Sequence, residues 1–213
     1  MPKSVISGSA PQVEAARQEG VDRLLRMLHQ FHPLDPGLKE FCLEHSRVIH
    51  LKRGQLLQRR GETCTAICFI LKGAMRGYFE NDGTEVTTWV TVEDELVSSI
   101  FSLSHNQPAM ENIAAVESSE LLVLDLDFVE SVYERFPAMN IAGRKLLQHY
   151  YLHAEIRALL VRIPNADRKY AFFLQHYTHL ANRIPVKIIA SFLGLRYETV
   201  SRIRNRQTAR ARE

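Results

Sequence analysis

Residues 186–203 read Val-Lys-Ile-Ile-Ala-Ser-Phe-Leu-Gly-Leu-Arg-Tyr-Glu-Thr-Val-Ser-Arg-Ile. Two short helices joined by a turn of about four residues make particular demands on residue type, and this stretch meets them together. Ala190 is small where the helices would cross. Gly194, four residues on, suits the left-handed backbone that ends a helix. Val200, six residues further, faces the crossing, and Ile189, Leu193, Leu195 and Ile203 complete its apolar contacts. The pattern predicts a helix-turn-helix with a second helix from about Arg196 to Arg206.

In such a motif the second helix enters the major groove of DNA. Its outward residues are Arg196, Tyr197, Glu198, Ser201 and Arg202, the expected base contacts. The Arg202 fork suits guanine O6 and N7, and Glu198 can accept from cytosine N4. Lys187, Thr199, Arg204, Arg206 and Arg210 are the expected phosphate contacts, which position the protein without specifying sequence. A plainer alternative is that Glu198 and Arg202, at i and i+4, pair with each other on the helix surface.

Charge supports a polyanion-binding end. The chain carries +3 overall, but residues 181–213 hold eight basic and two acidic residues, and residues 1–180 hold 19 basic and 22 acidic. A basic end on a mildly acidic body points to a nucleic-acid module beside something else, although a solvated basic tail reads the same way.

Upstream of the motif, Ala142, Leu146, His149, His153, Ile156 and Leu160 recur at spacings of 4, 3, 4, 3 and 4 within a helical segment from Ala138 to Ile163. That is a narrow seam of about three heptads, expected to face a second helix. Asn165 or Asp167 can cap the next helix, which carries Tyr170, Phe173, Leu174 and Tyr177 on one face. From Ser46 to Leu126 the period is strand-like. Short runs at Arg47–Leu51, Gln55–Gln58, Ala66–Leu71, Ala74–Phe79, Glu85–Val90, Asn112–Val116 and Leu121–Leu126 alternate with turn signals, among them the hairpin step Asp82-Gly83. Strands at this spacing with no intervening helix indicate a jelly roll. Asp127 can cap a short helix to Phe136. Before the roll, Val21, Leu24, Leu25 and Leu28 form a helical stripe, and Leu38 to Glu44 a second short helix.

The remaining composition excludes other classes. The longest uninterrupted apolar run, Ala66 to Leu71, has six residues, so no membrane-spanning helix is expected. The N-terminus lacks the apolar core of an export signal. Three cysteines, Cys42, Cys64 and Cys68, fit a reducing cytoplasm and buried packing better than a disulfide framework. At 213 residues the chain makes one large domain or two small ones.

With these motifs in place, the chain resembles the Crp/Fnr transcription factors. The resemblance rests on Leu51-Lys-Arg-Gly-Gln-Leu-Leu, Arg60-Gly-Glu, Cys68-Phe-Ile-Leu-Lys-Gly-Ala-Met-Arg, Ile189-Ala-Ser-Phe-Leu-Gly and Tyr197-Glu-Thr-Val-Ser-Arg-Ile, and it spans about Val21 to Arg206. It implies an α+β chain in four parts. Residues 1–18 are an N-terminal arm, 19–137 a double-stranded β-helix of the cyclic-nucleotide-binding type, 138–163 a dimerisation helix and 164–213 the helix-turn-helix domain. It further implies a cytoplasmic homodimer on palindromic promoter DNA, with RNA polymerase as a further partner.

The chain departs from that family in two places. By position, the Glu-Leu pair that holds a cyclic nucleotide's ribose falls on Ser98-Ser99-Ile100, and the Arg-Ser or Arg-Thr pair that holds its phosphate falls on Ala109-Met110. A buried phosphate needs a guanidinium's charge and fork. Ser98, Ser99, Ala109 and Met110 therefore read as a degenerate effector pocket; cyclic AMP is not expected, no cofactor is predicted, and the roll holds another effector or none. Secondly, only ten residues follow Ile203, four of them Arg, too few for the β-hairpin wing of many relatives. No catalytic or metal-ligating set is expected. His149 and His153 read most plainly as packed interface histidines; a proton-responsive interface and, behind it, a metal held with further ligands are the alternatives. A cupin-like metal enzyme would need several histidines and a carboxylate from the roll, where only His50 and His105 occur. A DNA-binding protein with a purely structural roll stays open beside the regulator.

Overall fold

A computed structural model describes residues 10–210. The first helix, α1 (Ala10–His29), buries Val21, Leu24 and Leu28 as the stripe predicts, with Leu25 half-buried. It already runs through residues 10–18 of the expected N-terminal arm. A short helix, α2 (Leu38–His45), leads into the strands.

Eight strands form two four-stranded sheets. They are β1 (Ser46–Leu51), β2 (Leu56–Gln58), β3 (Ala66–Lys72), β4 (Met75–Asn81), β5 (Thr84–Thr91), β6 (Leu96–Val97), β7 (Asn112–Ala115) and β8 (Ser119–Asp125). One sheet has the order β1-β8-β3-β6 and the other β2-β7-β4-β5. Strand β8 is antiparallel to β1 from Ser46↔Leu124 to Leu51↔Ser119 and to β3 from Ala66↔Asp125 to Lys72↔Glu120. Both β3 and β8 read as continuous apolar runs because both of their faces are covered. The outer face meets α1 at Gly20, where an added Cβ would stand 3.0 Å from the Leu71 side chain and 3.4 Å from that of Leu122. The Arg23 guanidinium fixes this helix, donating to the Asp94 carboxylate at 2.8 and 2.9 Å and to the Leu71 carbonyl at 2.7 Å. Gly73 (φ 100°) is required by close approach, since a Cβ there would meet Ser119 Oγ at 2.2 Å.

Two short elements carry no signal in the sequence, β6 and helix α3 (Ile100–His105). The helix after the roll, α4 (Leu126–Arg135), starts earlier than the Asp127 cap would place it. Asp125 precedes it, but its carboxylate is held by Arg47 at 2.6 and 3.0 Å, and the Leu126 amide goes to the Thr65 carbonyl at 2.9 Å instead. Cys42, Cys64 and Cys68 are free and buried, and burial pushes the Cys42 and Cys68 thiols up to about 12, which keeps them protonated and inert.

The long helix α5 (Pro137–Arg162) opens on Pro137, whose missing N–H costs nothing at a first helical position. Within the single chain the expected dimer seam is already covered in part. Ala142 and Leu160 are fully buried and Leu146 nearly so by the chain's own residues, Ile156 is half-buried, and the His149 ring lies 5.7 Å from that of Phe31. His153, also half-buried, has its ring 6.5 Å from Tyr150. The heptad spacing is real, but Ala142, Leu146 and Leu160 are buried by the chain's own residues.

Three helices complete the chain, α6 (Ala166–Ala181), α7 (Val186–Leu193) and α8 (Tyr197–Arg210). Compactness divides the protein into one unit of residues 1–77 and 90–149 and another of residues 78–89 and 150–213. The hairpin between β4 and β5 thus belongs with the C-terminal helices, and the division falls within α5 rather than at either of its ends.

Candidate nucleic-acid interface

The end of α7 is set by Gly194 (φ 62°, ψ 36°), where the Leu195 amide donates to the Ala190 carbonyl at 2.9 Å and the Gly194 amide to the Ser191 carbonyl at 3.1 Å. This pair of bonds satisfies helix-end carbonyls through a left-handed residue that favours glycine. The chain re-enters a helix at once, with the Thr199 and Val200 amides bonded to the Arg196 carbonyl at 3.1 and 3.3 Å. Ile189, Ala190, Leu193, Val200 and Ile203 are all buried at the crossing and Leu195 is half-buried. The two helices are packed as the spacing from Ala190 to Val200 requires.

This packing turns one face of α8 outward. Arg196, Tyr197, Glu198 and Arg202 are exposed and Ser201 is half-buried. Among the described residues Glu198 and Arg202 make no ion pair with each other or with another group, so both heads are open to a ligand. Of the expected phosphate contacts, Lys187 is exposed and Thr199 half-buried. Arg204 and Arg206 have partners inside the protein: Arg204 donates to Asn182 Oδ1 at 3.3 Å, and Arg206 is ion-paired with Asp167 at 2.5 Å. Both tie α8 to the ends of α6. The Arg210 side chain lies outside the described residues, although α8 runs to that position.

Helix α6 supplies the floor. Asn165 caps it, accepting from the Arg168 amide at 3.0 Å. Tyr170, Phe173, Tyr177 and Leu180 are buried, and Phe192 of α7 meets Phe173 and Tyr177 edge-on at 6.3 and 5.5 Å between ring centres. Two residues without a sequence signal matter here. Lys169 is buried, and its ammonium donates at 3.1 Å to the Val161 carbonyl near the end of α5 and at 3.1 Å to the Leu193 carbonyl at the end of α7. A cation there meets the negative ends of two helix dipoles at once. Ser191, on α7, accepts from the Thr87 amide of β5 at 2.9 Å and donates to the Glu85 carbonyl at 2.8 Å.

In the roll, the positions expected to form an effector pocket differ in exposure. Ser99 and Ala109 are buried, Ser98 is half-buried, and Met110 points outward. Ala109 is locked by its backbone to the 61–62 turn, accepting from the Gly61 amide at 2.8 Å and donating to the Glu62 carbonyl at 2.9 Å. The buried Ser102 hydroxyl, unnoticed in the sequence, accepts from the Cys64 amide at 2.8 Å and donates to the Gln107 carbonyl at 2.5 Å. No group of three or more His, Cys, Asp or Glu side chains converges to hold a metal among the described residues. No helix among them is long and apolar enough to cross a membrane.

Residues 48–136 match the family described as the cyclic nucleotide-binding domain. Comparison with curated proteins finds no match. Among solved structures, the chain is similar to FixK2 of Bradyrhizobium japonicum, at 18% identity and a TM-score of 0.65 over 78% of this chain and 86% of that one. It is similar to the c-di-GMP responsive global regulator CLP of Xanthomonas campestris, at 15% identity and 0.63 over 83% and 93%. The catabolite activator protein of Thermus thermophilus matches at 22% identity and 0.52 over 87% and 88%. The chain therefore has the fold that the resemblance to the Crp/Fnr regulators implies, a cyclic-nucleotide-binding-type roll followed by a helical C-terminal part.

Proposed function

We infer that this chain, with a cyclic nucleotide-binding domain and the fold of the Crp/Fnr regulators, is a sequence-specific DNA-binding transcriptional regulator. It acts as a homodimer on palindromic promoter DNA, in the cytoplasm and together with RNA polymerase. The observation that carries this reading is the outward face of α8, where Arg196, Tyr197, Glu198 and Arg202 stand exposed on a helix seated by a tight turn. A guanidinium, an aromatic ring and an unpaired carboxylate at one helix end fit base edges in a major groove. The similar structures carry regulator names, which fits a regulator rather than an enzyme.

The dimer is formed by α5, through a face other than the one expected. Leu147, Tyr151, Ala154, Ala158 and Val161 recur at spacings of 4, 3, 4 and 3 and are all exposed, flanked by the exposed Leu152 and Leu159. A second copy of the same helix is the natural cover for a heptad stripe. The roll is not built to hold cyclic AMP in the family's manner, because Ala109 brings no guanidinium and is locked into the turn beside it.

The test is selection of duplexes from a random pool by the full chain, followed by titration of the selected site. Arg202→Ala should cost about 1–3 kcal/mol and relax the preference at one base pair per half-site. Binding should weaken steeply with salt, as phosphate neutralisation requires. An Arg202→Ala chain with unchanged affinity and preference would overturn the recognition-helix assignment.

A further inference from the structure

Val200 and Ile203 seat α8 in its domain by burial, but none of residues 204–207 is buried. The stretch Arg204-Asn205-Arg206-Gln207 offers no apolar side chain to a core. Two polar ties hold it instead. Arg204 donates at 3.3 Å to Asn182 Oδ1, just past the last turn of α6. Arg206 pairs at 2.5 Å with Asp167, in the first turn of α6. Side chains two positions apart leave a helix about 200° from each other. The ties therefore run from opposite flanks of α8 to opposite ends of α6. A helix tied on both flanks resists rolling about its own axis. At the helix surface a roll of about 10° moves a side-chain tip by about 1 Å, and a preorganised contact tolerates about 0.5 Å.

We propose that Asn182 and Asp167 are positioning residues for sequence reading: through Arg204 and Arg206 they fix the roll of α8, and with it the base edge that Arg202 meets. The proposal rests on the DNA-binding reading above and adds the residues that set its specificity from behind. Arg204 and Arg206 are then holding groups rather than the phosphate contacts their charge suggests, since each guanidinium is engaged within the domain. Exposed ion pairs add little to stability, and the Arg206 and Asp167 side chains are 52% and 60% exposed. The ties act on how α8 is turned, while the buried Val200 and Ile203 keep it folded against its neighbours.

The test compares the affinities of the full chain for two duplexes. One is the duplex it selects from a random pool, and the other differs only at the base pair whose preference Arg202→Ala relaxes. Asn182→Ala alters no charge. It should lower the ratio of the two affinities about 2- to 5-fold, while affinity for an unrelated duplex and the salt dependence stay at wild-type values. Asn182→Asp keeps an acceptor for Arg204 and should keep the ratio. Asp167→Arg and Arg206→Asp should each lower the ratio, and the two together should restore it, because the pair re-forms with its charges exchanged. If Arg206 met phosphate instead, the double variant would stay as weak as Arg206→Asp, with a salt slope smaller by about one. That result, or an Asn182→Ala chain with the wild-type ratio, would overturn the positioning role. A wild-type chain that retained no duplex at all would overturn the regulator reading, and the positioning role with it.

Discussion

Single side chains decide how α8 is held. Lys169 is the clearest case, a buried ammonium shared between the carbonyls of Val161 and Leu193. Burying a cation is tolerable only where acceptors replace its water, and two helix ends supply them here. Lys169→Met keeps the stem and removes the donors, leaving two carbonyls short of a partner. It should lower unfolding free energy by about 2–3 kcal/mol in urea titration, within the usual cost of unsatisfied buried groups. Lys169→Arg, which keeps charge and donors, should lose less. Arg204 and Arg206 show the same logic at the surface. Their bonds to Asn182 and Asp167 hold α8 in place, so they support the exposed Arg202 beyond any contact of their own with phosphate.

At the scale of elements, α5 carries two apolar stripes of the same period. The one through Ala142, Leu146 and Leu160 is covered by the chain itself. The one through Leu147, Ala154 and Val161 lies one residue on, about 100° around the helix, and is exposed. The two should respond differently to substitution. Tyr151→Glu or Leu159→Glu should dissociate the proposed dimer while the fold stays intact, read by sedimentation and thermal melting. Leu146→Ala should instead lower stability by about 2–5 kcal/mol, the range for a truncated core leucine, and leave the association constant of the folded chain nearly unchanged. His149→Leu with His153→Leu should not alter association, since His149 faces Phe31 of its own chain. Loss of association on that double change would restore the histidine seam.

For the whole molecule, the roll and the helix-turn-helix pose different chemical questions. The roll matches the cyclic nucleotide-binding domain family at residues 48–136, and the reading proposed above puts Ser99 and Ala109 at the positions of the family's carboxylate and guanidinium. A ligand that binds only the folded state raises its stability with the logarithm of concentration. Cyclic AMP at micromolar concentration should therefore leave both the melting temperature and the DNA affinity where they were. A clear upward shift in melting would overturn this and return the pocket to nucleotide binding.

Local chemistry made much of the protein legible in advance. The turn at Gly194 needs a left-handed residue, the crossing needs Ala190 and Val200, and alternating runs separated by Gly and Asp can only be short strands; none of these depends on distant neighbours. The basic C-terminal end and the missing guanidinium at Ala109 are likewise properties of residue type. What the sequence left undecided depends on which surfaces meet. Period alone tells that α5 has a stripe for packing, but two stripes share that period, and only tertiary contact shows that Leu146 and Leu160 are covered from within. Lys169 and Ser191 look like ordinary solvated side chains in the sequence, because their partners lie 8 to 106 positions away. Hydrogen bonds to backbone carbonyls and amides carry no mark of side-chain type, so only the folded chain could reveal them.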